Sequence, residues 1–138
     1  MKLLLPILLF LTACGPAHYV QVEKVSVDRA SLASTFARSP DPNQIKPPTG
    51  EKLYINWYLP FSIKPEEYQL VLSVIYKNLT QEQKIYDIPT RIGFSSFSLI
   101  DKKYQETKGF YSYKVELVNK NDGSIKDTWE HQMWVTLL

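Results

Sequence analysis

From Leu53 onward the chain alternates apolar and polar residues in short runs, each closed by a proline, a glycine or a polar turn. This period of two is the strongest constraint on the fold. In an extended strand it puts residues two apart on one face of a sheet, whereas a helix would scatter them. Leu53, Ile55, Trp57 and Leu59 alternate with Tyr54, Asn56 and Tyr58, and Pro60 closes the run. Tyr68, Leu70, Leu72, Val74 and Tyr76 alternate with Gln69, Val71, Ser73 and Ile75. A shorter strand is expected over 83–88, stopped by Pro89, and another over 94–100 with Phe97 and Leu99 on one face. Tyr111, Tyr113, Val115 and Leu117 then alternate with Ser112, Lys114 and Glu116. A last strand would put Ile125, Asp127, Trp129, His131, Met133, Val135 and Leu137 on one side. Asn121-Asp122-Gly123-Ser124 joins the final two, and Asp-Gly suits the positive φ angles of a tight hairpin.

Nine Tyr, six Phe and three Trp against only five Gly favour strands over helices. Closely spaced short strands with turn signals between them indicate a β-sandwich rather than a parallel sheet. From about Pro47 the chain resembles fibronectin type III and related immunoglobulin-like modules. The resemblance rests on a proline-led start, Trp57 on an early strand, and the late strand Tyr111 to Leu117 followed by Asn121-Asp122-Gly123. Glu106-Thr107-Lys108-Gly109 stands where that family usually has leucine-proline-glycine. The resemblance implies an all-β, immunoglobulin-like (fibronectin type III-like) antiparallel β-sandwich, placed at 53–138, after an N-terminal signal and tether.

Residues 14–52 read as anchor, tether and a proline-rich segment. They hold a short strand from His18 to Val27, then Asp28 as cap of one or two helical turns with Leu32 and Phe36 on one side. Four prolines between Pro40 and Pro48 exclude a central strand or a helix and suggest an extended connection.

At the N-terminus Lys2 precedes an apolar run from Leu3 to Phe10, about half the ~20 residues that span a bilayer and interrupted by Pro6. Leu11-Thr12-Ala13-Cys14 follows. A basic start, a short apolar core and small exit residues form a secretory signal. Ending in this cysteine, it resembles the lipobox of bacterial lipoproteins. The resemblance implies that residues 1–13 are cleaved and that Cys14 carries two or three acyl chains, enough for stable anchoring. The covalent lipid would then be the only cofactor, and the membrane the first partner. No aspartate follows Cys14, which points to the outer rather than the inner membrane of the envelope. Cys14 is also the only cysteine, so no internal disulfide can form.

Cleavage would remove one charge, Lys2, taking the net charge from +2 to +1, too even to suggest nucleic acid. Only His18 and His131 could supply imidazole, and no paired cysteines or HExxH motif exists. Asn119 to Gly123 superficially fits a calcium loop, but Val118 and Trp129 would fall at ligand positions, and a hairpin explains the residues better. His131, beside Trp129 and Met133, reads as a core residue, and Glu66-Glu67 as a solvated turn. Asn78-Leu79-Thr80 fits a glycosylation pattern with little meaning in a bacterial lipoprotein. No serine lies in a GxSxG elbow and the glycines are isolated. The expectation is a protein that is not an enzyme and binds no metal.

What is left is surface. Uniform alternation turns Val71, Ile75, Val118 and Trp134 outward as an apolar partner-binding patch, unless Val20, Val22, Leu32 and Phe36 fold back over it. Tyr54 and Tyr58 are a second exposed pair. The expected role is a lipid-anchored, non-catalytic protein-binding or assembly module of the bacterial envelope. The alternatives are an accessory subunit of an envelope secretion or surface complex, and a carbohydrate-binding or hydrolytic surface protein.

Overall fold

The computed structural model describes residues 18–134; the signal, Cys14, Val135 and Leu137 lie outside them. Seven strands form two antiparallel sheets: β1 (Val20–Val27), β2 (Gly50–Tyr58), β3 (Tyr68–Tyr76), β4 (Gln81–Asp87), β5 (Ile92–Ile100), β6 (Phe110–Asn119) and β7 (Ile125–Glu130). One sheet has the order β1-β2-β5 and the other β4-β3-β6-β7. The chain is an all-β, immunoglobulin-like sandwich. Two short helices, α1 (Ala33–Ala37) and α2 (Asp101–Thr107), lie in the β1–β2 and β5–β6 connections.

The core follows the alternation. Leu53, Ile55 and Trp57 from β2 meet Leu70, Leu72 and Val74 from β3 and Val115 and Leu117 from β6. Phe97 and Leu99 close it from β5, as expected from sequence. Trp57 has a special neighbour. Its indole donates to the Thr90 carbonyl at 2.9 Å and lies over Gly93, where an added Cβ would stand 2.6 Å from the ring. Gly93 is therefore required by close packing.

The short strand expected from His18 to Val27 is present as β1, but it belongs to the sandwich, as its first strand, rather than to a tether before it. It pairs with β2 from Val20↔Trp57 to Val27↔Gly50, and Val20 and Val22 join the core. The sandwich thus begins before residue 53. The start of β1 is also fastened to the other sheet. Asp127 on β7 accepts the Tyr19 amide at 2.7 Å and the Val20 amide at 3.3 Å, and its other oxygen meets His18 Nδ1 at 3.0 Å.

The connection to β2 matches its expected cap. Asp28 and Ser31 form a capping box around a 3-10 turn. The proline-rich segment is not wholly extended: Pro42 opens a second 3-10 turn, where its missing N–H costs nothing. Arg29 donates to the Gln44 carbonyl at 2.9 Å, and the Gln44 amide reaches Ser34 and Thr35.

Two bulges correct the simple alternation. Ile75 pairs with Ser112 but Tyr76 pairs with Phe110, so Tyr111 is skipped and exposed while Phe110 is buried. Leu117 pairs with Asp127 but Val118 with Ile125, so Ile125 faces outward. Each bulge inserts one residue and so flips the face of the residues beyond it. β7 also ends at Glu130; His131 and Met133 lie in a turn beyond it, not on the strand. The hairpin before β7 is longer than the two-residue form. Only Gly123 takes a positive φ there, and its amide reaches the Asn119 carbonyl at 2.9 Å.

Candidate functional site

The sequence-derived patch is divided by the fold. Val71 and Val118 do share the outer face of the four-stranded sheet, each half-buried. Ile75 is only 1% exposed, beside the fully buried Ser112, and so offers nothing to a partner. Trp134 follows the turn after β7, with Lys114 Nζ 5.1 Å from its ring. Between these residues lies the Lys114–Glu116 ion pair, which breaks the apolar surface. The alternative, in which the N-terminal segment covers this face, is not what the fold shows. Val20 and Val22 are in the core and Phe36 is exposed. Ile85, and Ile125, which was expected on the inward face with Trp129, are exposed beside Val71 and Val118.

A second apolar surface lies on the other sheet. Tyr58 pairs with Ile92, and on the same outer face Asn56 pairs with Phe94 and Tyr54 with Ser96. Tyr58, Ile92 and Phe94 are 64%, 66% and 69% exposed. Three large side chains on neighbouring rungs, all mostly in water, form a contiguous patch of the kind that marks interaction sites. Tyr54 extends it, half-buried beneath Lys52 Nζ at 5.2 Å. Gln21 and Glu23 on β1 supply a polar rim, opposite Asn56 and Tyr54. Tyr54 and Tyr58 were visible in the sequence. Ile92 and Phe94 were not linked to them, because that link depends on β5 pairing with β2.

The shifted titrating groups lie elsewhere. At the opposite end of the sandwich, burial and a 2.5 Å hydrogen bond to Glu82 push the Tyr76 hydroxyl up. Burial works to raise Glu82 as well, but bonds from Lys103 at 2.7 Å and from Tyr76 outweigh it and hold the carboxyl low. All three groups are used up in one closed network, which suits a structural brace joining β4 to α2.

An open groove of about 440 Å³ follows the seam between β1 and β7, lined by Val22, Lys24, Tyr113, Trp129 and His131. Tyr113 stacks on Trp129, and the His131 ring lies 4.8 Å from it. Burial, and then the charge of Lys24, push His131 below its usual range. Its Nδ1 accepts the Met133 amide at 3.3 Å, a role only the neutral ring can fill. A histidine lowered in the folded state stabilises fully above its unfolded pKa near 6.5 and loses that contribution as pH falls below it. Between pH 7.5 and 5.5 the wild-type urea midpoint is expected to fall further than that of His131→Gln. Equal slopes would show that His131 does not titrate on unfolding.

Among the described residues no three His, Cys, Asp or Glu side chains gather as a metal site, and no helix is long and apolar enough to cross a membrane. The outer face around Tyr58 and Phe94 is aromatic and is rimmed by the Gln21 and Asn56 amides and the Glu23 carboxylate. No family model, curated protein or solved structure matches this chain.

Proposed function

We propose that the protein is a lipid-anchored, non-catalytic binding module of the bacterial envelope, held through Cys14 and recognising a protein partner through the outer face of the β1-β2-β5 sheet. The observation that carries the recognition half is the cross-strand cluster of Tyr58, Ile92 and Phe94, which keeps three large apolar groups in water on a face otherwise free to be polar. Interface cores favour such aromatic groups at their centre with polar residues around them. The anchoring half is supported by Leu11-Thr12-Ala13-Cys14 after a short apolar run, and by Cys14 being the only thiol in the chain.

Phe94→Asp is the direct test. Its ring packs on solvent rather than in the core, so folding should change by no more than about 0.5 kcal/mol. Crosslinking in intact envelopes is expected to recover a discrete protein adduct with wild type and to lose it with Phe94→Asp. An adduct that survives the change would place recognition elsewhere on the sandwich. Retention of the wild type on envelope polysaccharide, again lost with Phe94→Asp, would move the reading to carbohydrate binding.

A further inference from the structure

The end of the sandwich where β1 begins carries an apolar tip held out from the fold. The Ile63 amide donates to the Pro60 carbonyl at 3.1 Å, closing a turn with Phe61 and Ser62 at its corners. Leu59 and Ile63 are buried on either side and pin it at both ends. Arg91 braces it further. Its guanidinium donates to the Pro60 carbonyl at 2.7 Å and also to that of Ile63, and lies 5.2 Å from the centre of the Phe61 ring. Inside this brace Phe61 is 90% exposed, the most exposed aromatic ring among the described residues. A loose loop could withdraw such a ring; a turn fixed by buried flanks and a guanidinium cannot.

The tether identifies what the tip meets. The Tyr58 amide donates to the Tyr19 carbonyl at 2.9 Å and the Leu59 amide to that of Arg91 at 2.8 Å, so the first described residues lie beside the tip. Cys14 precedes His18 by four residues, a reach of about 14 Å at most. A headgroup layer is itself roughly 5–8 Å deep. On the lipid-anchored reading proposed above, on which this inference rests, this end of the sandwich cannot leave the membrane surface. We infer that Phe61, with Arg91 behind it, docks into the lipid–water interface of the membrane that holds the acyl chains. An exposed phenylalanine can bury its ring at the boundary between headgroups and acyl chains, and an arginine there can bury its stem while its charge meets phosphate. The acidic groups at this end are Glu66 and Glu67 in the 3-10 turn that leads into β3, Asp87 at the end of β4, Asp122 in the β6–β7 turn and Asp127 on β7, all on elements of the four-stranded sheet or leading into it. With the tip turned to the lipid, the strands run away from the membrane and the outer face that carries Tyr58, Ile92 and Phe94 stands sideways to it.

A lipid-modified Cys14 leaves no free thiol, so Ser62→Cys in the full chain, expressed with its own signal, carries a single nitroxide beside an intact Phe61. Lys102→Cys, in α2 at the far end, is the control. Intact mass first establishes whether Cys14 is acylated. In vesicles of phosphatidylethanolamine and phosphatidylglycerol, the label at 62 is expected to favour collision with oxygen over a water-soluble nickel chelate, several-fold more than the label at 102. Adding Phe61→Asp is expected to abolish that difference. Acylated protein with both labels equally open to the chelate would overturn the docked tip while leaving the anchor intact. An unmodified Cys14 would overturn both.

Discussion

Trp57→Ala is expected to lower folding stability by about 3–5 kcal/mol, the range for removing a buried tryptophan. Domains of this kind hold only about 5–15 kcal/mol in all. The loss has two sources. A cavity opens between β2 and β5, and the Thr90 carbonyl loses its indole donor. Gly93→Ala attacks the same contact from the other side, since its methyl would stand 2.6 Å from the ring. By itself it should cost about 1–3 kcal/mol through overpacking. In the Trp57→Ala background the methyl enters vacated space, and its cost should vanish. Urea unfolding of the two single variants and the double variant measures this coupling. Additive losses would mean that Gly93 is required for some reason other than the indole. Tyr58, Ile92 and Phe94 ride on these same strands, so the double variant should also disturb the face proposed for recognition.

The second large effect is expected at Asp127. Its carboxylate holds the Tyr19 and Val20 amides where β1 meets β7. Asp127→Ala leaves both donors without a partner in a part-buried seam, a loss of about 2–6 kcal/mol at roughly 1–3 kcal/mol for each stranded group. Asp127→Asn keeps one carbonyl acceptor and should fall between the two. Hydrogen exchange separates local from global damage. Amides from Tyr19 to Val22 should exchange much faster in Asp127→Ala, while those of Leu72 and Val115 change only with the overall stability. Unchanged exchange at Tyr19 and Val20 would show that pairing with β2 alone holds the strand.

How far these features could be seen in the sequence depended on whether their cause was local. β2 and β3 were readable because Leu53-Ile55-Trp57 and Leu70-Leu72-Val74 alternate without interruption. β1 was harder, since only Val20 and Val22 are buried and the strand then runs out along the sandwich edge. The skipped residues of β6 and β7 have no signature of their own. Tyr111 looks like any inward tyrosine until its neighbour Phe110 takes the core position. The expected patch failed at Ile75 for a similar reason: outward direction was inferred from alternation, but exposure also depends on what lies over the sheet. The aromatic face was half visible, as Tyr54 and Tyr58. Ile92 and Phe94 complete it only through a pairing between strands more than thirty residues apart.

The place of β1 also determines how the molecule would bear load. A pull on His18, resisted at the far end of the sandwich, runs along the strand axis. The rungs from Val20↔Trp57 to Val27↔Gly50 lie across that axis, as antiparallel bonds do. They would be strained together, in shear, rather than opened one after another as in peeling. Asp127 shares the strain with the second sheet at the point where force enters. Under such a load the sandwich would thus resist as one body and stay folded, as the proposed anchoring through Cys14 would require.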